Sequence, residues 1–210
     1  KDDGSVVAWG SRRYGGDIRL GNQDLTSGIK KIFSNKNAFA ALKENGSLLT
    51  WGDENLMYLY KHSLKNALSS GVTNVFSTDE AFAALKVNDS VVTWGASSHG
   101  GSSTDLSLSS GVTDIIPGMG AFAAIKADGS VVTWGSSSYG GDSSRVQESL
   151  DSGVKDVYST YGAFAALKED GSVVTWGRKE SGGDSSNIQS KLSANVVSIS
   201  ATRSNICSFV

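Results

Sequence analysis

A block of about 42 residues recurs five times along the chain, and no other sequence feature constrains the fold as tightly. It is plainest as Ala163-Phe-Ala-Ala-Leu-Lys-Glu-Asp-Gly-Ser-Val-Val-Thr-Trp-Gly177, with close copies at 38–52, 81–95 and 121–135. The tryptophans fall at Trp9, Trp51, Trp94, Trp134 and Trp176, in steps of 42, 43, 40 and 42 residues. Periods in this range belong to solenoids and propellers, whose units cannot bury an apolar face alone and stack to do so. Five units fill the 210 residues as a single domain over 1–210.

Within one unit the periodicity is that of strands. Val154 to Thr160 alternates apolar and polar residues, and Ala163 to Lys168 is an alanine-rich second strand carrying Phe164. Ser172 to Trp176 is a third strand, rich in β-branched residues. Between the last two stands Asp-Gly or Asn-Gly, at Asp3-Gly4, Asn45-Gly46, Asp128-Gly129 and Asp170-Gly171. Such a pair predicts a tight hairpin with both central residues at positive φ. The third copy has Asn88-Asp89 there, which tolerates that conformation less well. After each Trp-Gly runs a Gly- and Ser-rich linker, in which Ser144 with Gln147 and Ser186 with Gln189 have capping-box spacing and predict a short helical turn. A fourth strand is not evident.

The alanines are expected where strands crowd toward a propeller axis, and the aromatics between neighbouring blades. Trp9, Trp51, Trp94, Trp134, Trp176, Phe39, Phe82, Phe122 and Phe164 are accordingly read as structural core, against the alternative of an exposed sugar-stacking ladder. The segment 204–210 resembles the second strand of a unit, and 1–10 supplies a turn and a third strand. The expected fold is therefore an all-β closed propeller of five blades, with one blade shared between the N- and C-termini. A ring closed this way leaves no open sheet edge.

The pattern Ala-Phe-Ala-Ala-Leu-Lys-x-Asp-Gly-Ser-Val-Val-Thr-Trp-Gly resembles the repeat of the regulator of chromosome condensation family of β-propellers. That repeat also has a small-residue strand, an Asp-Gly turn and a Trp-Gly, and the resemblance runs through all five units. It implies a propeller fold. Family members have more and longer blades, and a Gly-Gln-Leu-Gly-like segment follows their Trp-Gly. Here Gly15-Gly16, Gly100-Gly101, Gly140-Gly141 and Gly182-Gly183 mark that region instead. The founding member's exchange-factor activity and its basic, chromatin-binding tail find no residues to carry them.

Composition narrows the chemistry. The net charge of −2 offers no basic field for nucleic acid, and no apolar run reaches the roughly 18–20 residues of a membrane span. A single cysteine, Cys207, gives no internal disulfide and is read as a small buried hydrophobe. The two histidines, His62 and His99, lie in non-equivalent linkers, and no nucleophile elbow, His-Glu-x-x-His or phosphate loop occurs. One aspartate per linker, Asp142 or Asp184, is poor provision for calcium. No enzyme activity, metal or cofactor is expected. Compartment stays open, with a secreted or cell-surface setting favoured over the cytoplasm.

Recognition remains, and loops on a rigid scaffold are its usual carriers. The second linker breaks the repeat most, with Met57, Tyr58, Tyr60 and His62 in a stretch that either forms a contact cluster or packs over a blade edge. Arg12, Arg13 and Tyr14 form a second candidate. Tyr14, His99 and Tyr139 each precede an equivalent Gly-Gly pair and are expected to line one face. The leading expectation is a monomeric ring that binds a protein partner. The alternatives are a lectin-like or adhesin module binding glycans beside Gly-Gly, and a passive spacer in a larger surface protein.

Overall fold

The repeats fold into antiparallel sheets, because short turns separate runs of alternating or β-branched residues. The computed structural model describes residues 1–17, 25–53, 62–103, 107–202 and 206–209, with backbone alone at 62–63 and 206–209. The first sheet holds β1 (Ile29–Ser34), β2 (Ala38–Lys43) and β3 (Leu48–Gly52). The second holds β4 (Val72–Ser77), β5 (Ala81–Lys86) and β6 (Val91–Gly95); the third β7 (Val112–Pro117), β8 (Ala121–Lys126) and β9 (Val131–Gly135). The fourth holds β10 (Val154–Ser159), β11 (Ala163–Lys168) and β12 (Val173–Gly177). The fifth, among the described residues, pairs β13 (Ser198–Ala201) with β14 (Ile206–Phe209). Strand order follows the chain, so the alanine-rich strand is the middle one.

That order corrects the expectation that the alanines sit nearest the axis. First strands meet first strands, β1 with β4, β4 with β7, β7 with β10 and β10 with β13. Ser77 donates its hydroxyl to Ser34 O at 3.0 Å and Ser159 to Pro117 O at 2.9 Å, lacing those inner strands together. The alanines are small for a different reason. Their strand is covered on both faces by neighbouring sheets, and Ala83, Ala84, Ala123, Ala124, Ala165 and Ala166 are fully buried.

The core is a series of wedges between successive sheets. Phe82 and Trp94 pack on Ala38, Ala40 and Leu48 of the preceding unit, and Phe164 and Trp176 pack on Ala121 and Ala123. Within each unit Phe and Trp are cross-strand partners, as in Phe164↔Trp176, with near-parallel rings 5.4 Å apart. Such pairs add about 0.5–1.5 kcal/mol beyond the area they bury.

The hairpin turns differ from expectation. Only the glycine takes positive φ, +76° at Gly171, and Lys168 N–H reaches Ser172 O across a three-residue loop. The aspartate serves as an acceptor instead. Asp170 Oδ1 takes the amide of Ser172 at 2.9 Å and its hydroxyl at 2.6 Å, and these bonds hold its carboxyl below the usual range. In the third turn, Asp89 adopts the left-handed conformation itself, at φ +59°.

The helical turns in the linkers are present at Ser144–Val146, Gln147–Leu150 and Ser186–Lys191, but the capping boxes are not. Asp142 and Asp184 accept the amides of Ser144 and Ser186. The serine–glutamine contact shifts by one residue, joining Ser143 to Gln147 and Ser185 to Gln189. A carboxylate two residues ahead of the amide outcompetes the glutamine side-chain carbonyl for it.

The first residues reproduce the start of a third strand. Ile29 N–H bonds Gly4 O and Val6 N–H bonds Leu25 O, as Val72 does with Gly46 and Leu48 with Leu68 in the next unit. Among the described residues no strand pairs with this segment. Trp9, expected in the core, is therefore 83% exposed, because the second-strand partner and preceding wedge that cover the other tryptophans are not against it. Ile32 of β1 is likewise 44% exposed, whereas its counterparts Val75, Ile115, Val157 and Ile199 are buried.

Candidate functional site

In the first four units the loops joining first to second strand are 35–37, 78–80, 118–120 and 160–162, and their middle residues, Lys36, Asp79, Met119 and Tyr161, share no chemistry. Because the inner strands converge, these loops converge too. They share one cavity of about 550 Å³ with Thr202, so all five units contribute to a single mouth. Backbone bonds tie its first members, Lys36 N–H to Asp79 O at 3.1 Å and Asp79 N–H to Met119 O at 2.9 Å. Lys36 Nζ lies 2.6 Å from the Asp79 carboxylate, which raises the lysine's pKa. Tyr161 is 40% exposed at the rim.

Beside this mouth stand the 3₁₀ turns Ser97–His99 and Ser137–Tyr139, which follow Trp94-Gly95 and Trp134-Gly135. They bring His99 and Tyr139 together, ring centroids 6.4 Å apart, and Tyr139 meets Tyr161 edge-on at 5.7 Å. The Arg178 guanidinium lies 5.6 Å from the Tyr139 ring centroid. A Cβ on Gly120 would come within 2.7 Å of Tyr139 Cδ2, so the tyrosine rests against bare backbone there. Among the described residues no ring contact joins Tyr14 to His99 or Tyr139. Tyr14 pairs instead with Arg13, whose Nε is also 3.7 Å from Asp53. Arg12 opens the same turn. Met57, Tyr58 and Tyr60 lie outside the described residues; His62 begins the helix His62–Ala67, and its side chain also lies outside them, as does that of Cys207.

The Gly-Gly pairs are not open pockets. The carbonyls of Gly15, Gly100 and Gly140 accept the indole N–H of Trp51, Trp134 and Trp176 from the following unit, at 3.0–3.1 Å. A Cβ on Gly140 would lie 2.7 Å from Phe164, and one on Gly141 would meet the backbone of Gly135. These glycines are where one unit's linker seats on the next unit's aromatic pair.

The geometry around His99 is not that of a relay. Ser98 Oγ at 3.0 Å and Glu80 Oε2 at 3.5 Å both address Nδ1, whereas a nucleophile–base–orienter chain uses the two ring nitrogens separately. No group of three or more His, Cys, Asp or Glu that could hold a metal occurs among the described residues, and no helix there is long and apolar enough to cross a membrane. Lys36, Asp79, Met119, Tyr161 and Arg178 went unmarked in the sequence.

No family model and no curated protein matches the chain. Solved structures do. Yeast RCC1 (Prp20) bound to Kap60 superposes with a TM-score of 0.54 at 18% identity, over 83% of this chain and 52% of that one. Prp20p from Saccharomyces cerevisiae gives 0.54 at 18% identity, over 92% and 61%. The ectodomain of the Arabidopsis thaliana receptor kinase ACR4 gives 0.51 at 14% identity, over 86% and 60%. The chain thus spans roughly half to three-fifths of the length of these structures. The chain has the fold of an RCC1-like β-propeller, divergent in sequence.

Proposed function

We propose that this chain is a non-catalytic, protein-binding module, and that the face carrying the mouth is its contact surface. The observation that carries this reading is the convergence of the first-to-second-strand loops of four units, with Thr202 of the fifth, on a single cavity. Lys36, Asp79, Met119 and Tyr161 place charge, a thioether and an exposed aromatic side by side there. That mixture suits a protein partner. The solved neighbours support the same general reading: yeast RCC1 was captured with Kap60, and Prp20p has binding properties toward Gsp1p and histones. A glycan-binding ring is the weaker alternative, since Gly120, His99, Tyr161 and Arg178 already surround Tyr139. Affinity capture with the wild-type chain and with Tyr161→Ala and Met119→Ala, beside a glycan array, tests the choice. The expected result is a protein partner weakened at least about tenfold by either substitution, with folding intact, and a blank array. A positive array with no protein captured would overturn it. The stretch 53–62, with Tyr58 and Tyr60, is a second proposed contact, tested by the same capture with both tyrosines changed to Ala.

The five-bladed closed ring belongs to the same proposal. In it β14 pairs with Ser5–Gly10, so that one blade is shared by the two ends of the chain. The register supports this. Ser200↔Cys207 corresponds to Tyr158↔Ala165, and Ala165 in turn faces Thr175, whose counterpart is Ala8. Ala165↔Thr175 is a non-hydrogen-bonded pair, the kind whose Cα atoms approach to about 4.5 Å, within the span of a disulfide. Ala8→Cys is therefore expected to oxidise with Cys207 within one chain, giving a faster-migrating monomer on non-reducing gels. A disulfide-linked dimer, or two free thiols in the folded protein, would rule the closure out.

A further inference from the structure

The outer strand of the fourth sheet has a free edge facing a groove. The ladder's phase follows from two bonds at its ends, Lys168 N–H to Ser172 O and Arg178 N–H to Gly162 O. Between them the register places Phe164 opposite Trp176 and Ala166 opposite Val174, so Trp176 and Val174 bond inward. Val173, Thr175 and Gly177 then direct their amides and carbonyls away from β11. Val173 N–H is used, by Leu192 O at 2.8 Å. The backbone groups of Thr175 and Gly177 meet no hydrogen-bond partner among the described residues.

A cavity of about 760 Å³ runs along this edge and is lined by the whole of Val173–Gly177. One wall comes from the preceding linker, with Arg145 and Ser149, the other from the strand's own linker, with Ser185 and Gln189. Two carboxylates border it, and both are engaged. Asp142 accepts the Ser144 amide at 2.9 Å; Asp184 accepts the Ser186 amide and pairs with Lys179 at 3.0 Å. Arg145 has no carboxylate within ion-pair distance among the described residues.

We propose that this groove takes an extended segment of a partner protein as a fourth strand on β12, with an acidic side chain of that segment directed to Arg145. Only an extended backbone offers donors and acceptors at the spacing of Thr175 and Gly177, and only a negative group answers the guanidinium. The site shares no residue with the mouth, so either proposal can fail while the other stands.

The probe is a phage-displayed library of random linear peptides, panned on the full chain, followed by the synthetic form of its most enriched member. Thr175→Pro is the decisive variant. It removes an outward amide while leaving the β11–β12 ladder whole, a setting in which an edge strand accepts proline. Thr175→Val is its control, losing the hydroxyl that bonds Gly183 O and Ser185 but keeping the amide. The expected result is enrichment of acidic peptides whose affinity falls about tenfold or more in Thr175→Pro and Arg145→Glu and is retained in Thr175→Val and Tyr161→Ala. Amide exchange at Thr175 and Gly177 slows on binding. If Thr175→Pro loses its tryptophan near-ultraviolet signal and so its fold, Arg145→Glu and the exchange measurement decide. An unenriched library, binding indifferent to Arg145→Glu, or unchanged exchange at both residues overturns the proposal.

Discussion

Replacing Trp134 by Ala is expected to lower the free energy of unfolding by about 3–5 kcal/mol, a large share of the roughly 5–15 kcal/mol that holds a domain folded. The side chain is buried, stacks on Phe122 with centroids 5.1 Å apart and packs on Ala81 and Ala83 of the preceding unit. It also donates its indole N–H to Gly100 O at 3.1 Å. Truncation therefore opens a cavity in a wedge between two sheets and leaves a buried carbonyl without its donor, two costs that add. Trp134→Phe keeps the ring stack and loses the donor, and should fall between the two, about 1–3 kcal/mol below wild type. Urea unfolding followed by far-ultraviolet circular dichroism measures both. A loss under about 1 kcal/mol for the alanine would mean that the wedge is not what holds these units together.

The second large effect comes from a glycine. Gly140→Ala is expected to cost about 2–5 kcal/mol. Its φ of +86° disfavours any side chain by about 1–2 kcal/mol, and the new methyl would lie 2.7 Å from Phe164 Cδ2, an overpacking worth about 1–3 kcal/mol more. Phe164 cannot yield readily, since Trp176 stacks on it and Ala121 lies in the same cluster. Gly153→Ala is the matched control. It has φ +69° but meets only Lys168 Cε, at 3.6 Å, so it should show the conformational cost alone. Equal losses at the two positions would show that the linker does not bear on the next unit's phenylalanine.

Both effects reach across a unit boundary, and there the sequence was only half legible. The Asp170-Gly171 turn, the Phe164 and Trp176 strands and the 42-residue spacing are local signals, because strand periodicity and turn chemistry act over a few residues. The three strands of each unit could be read from them. The turn's exact form could not, since a serine two residues after the aspartate competes for its carboxylate and converts the loop. Nor could the capping boxes be judged, for the same reason: Asp142 and Asp184 reach the amides first.

The Gly-Gly pairs show the limit most clearly. As sequence they are merely flexible, and their use, receiving a tryptophan N–H from 34 to 36 residues further on, depends on how sheets stack. The same holds for the mouth. Lys36, Asp79, Met119 and Tyr161 share no chemistry, and a position that changes from repeat to repeat carries no periodic signal. By itself the sequence determined that there would be repeated three-stranded hairpin sheets with an aromatic pair in each, because backbone propensity and period-2 burial are properties of short segments. Only the tertiary structure decided which strand lies innermost, which glycines seat a neighbour's aromatics and which loops meet, because those follow from packing one unit against the next across some forty residues of chain.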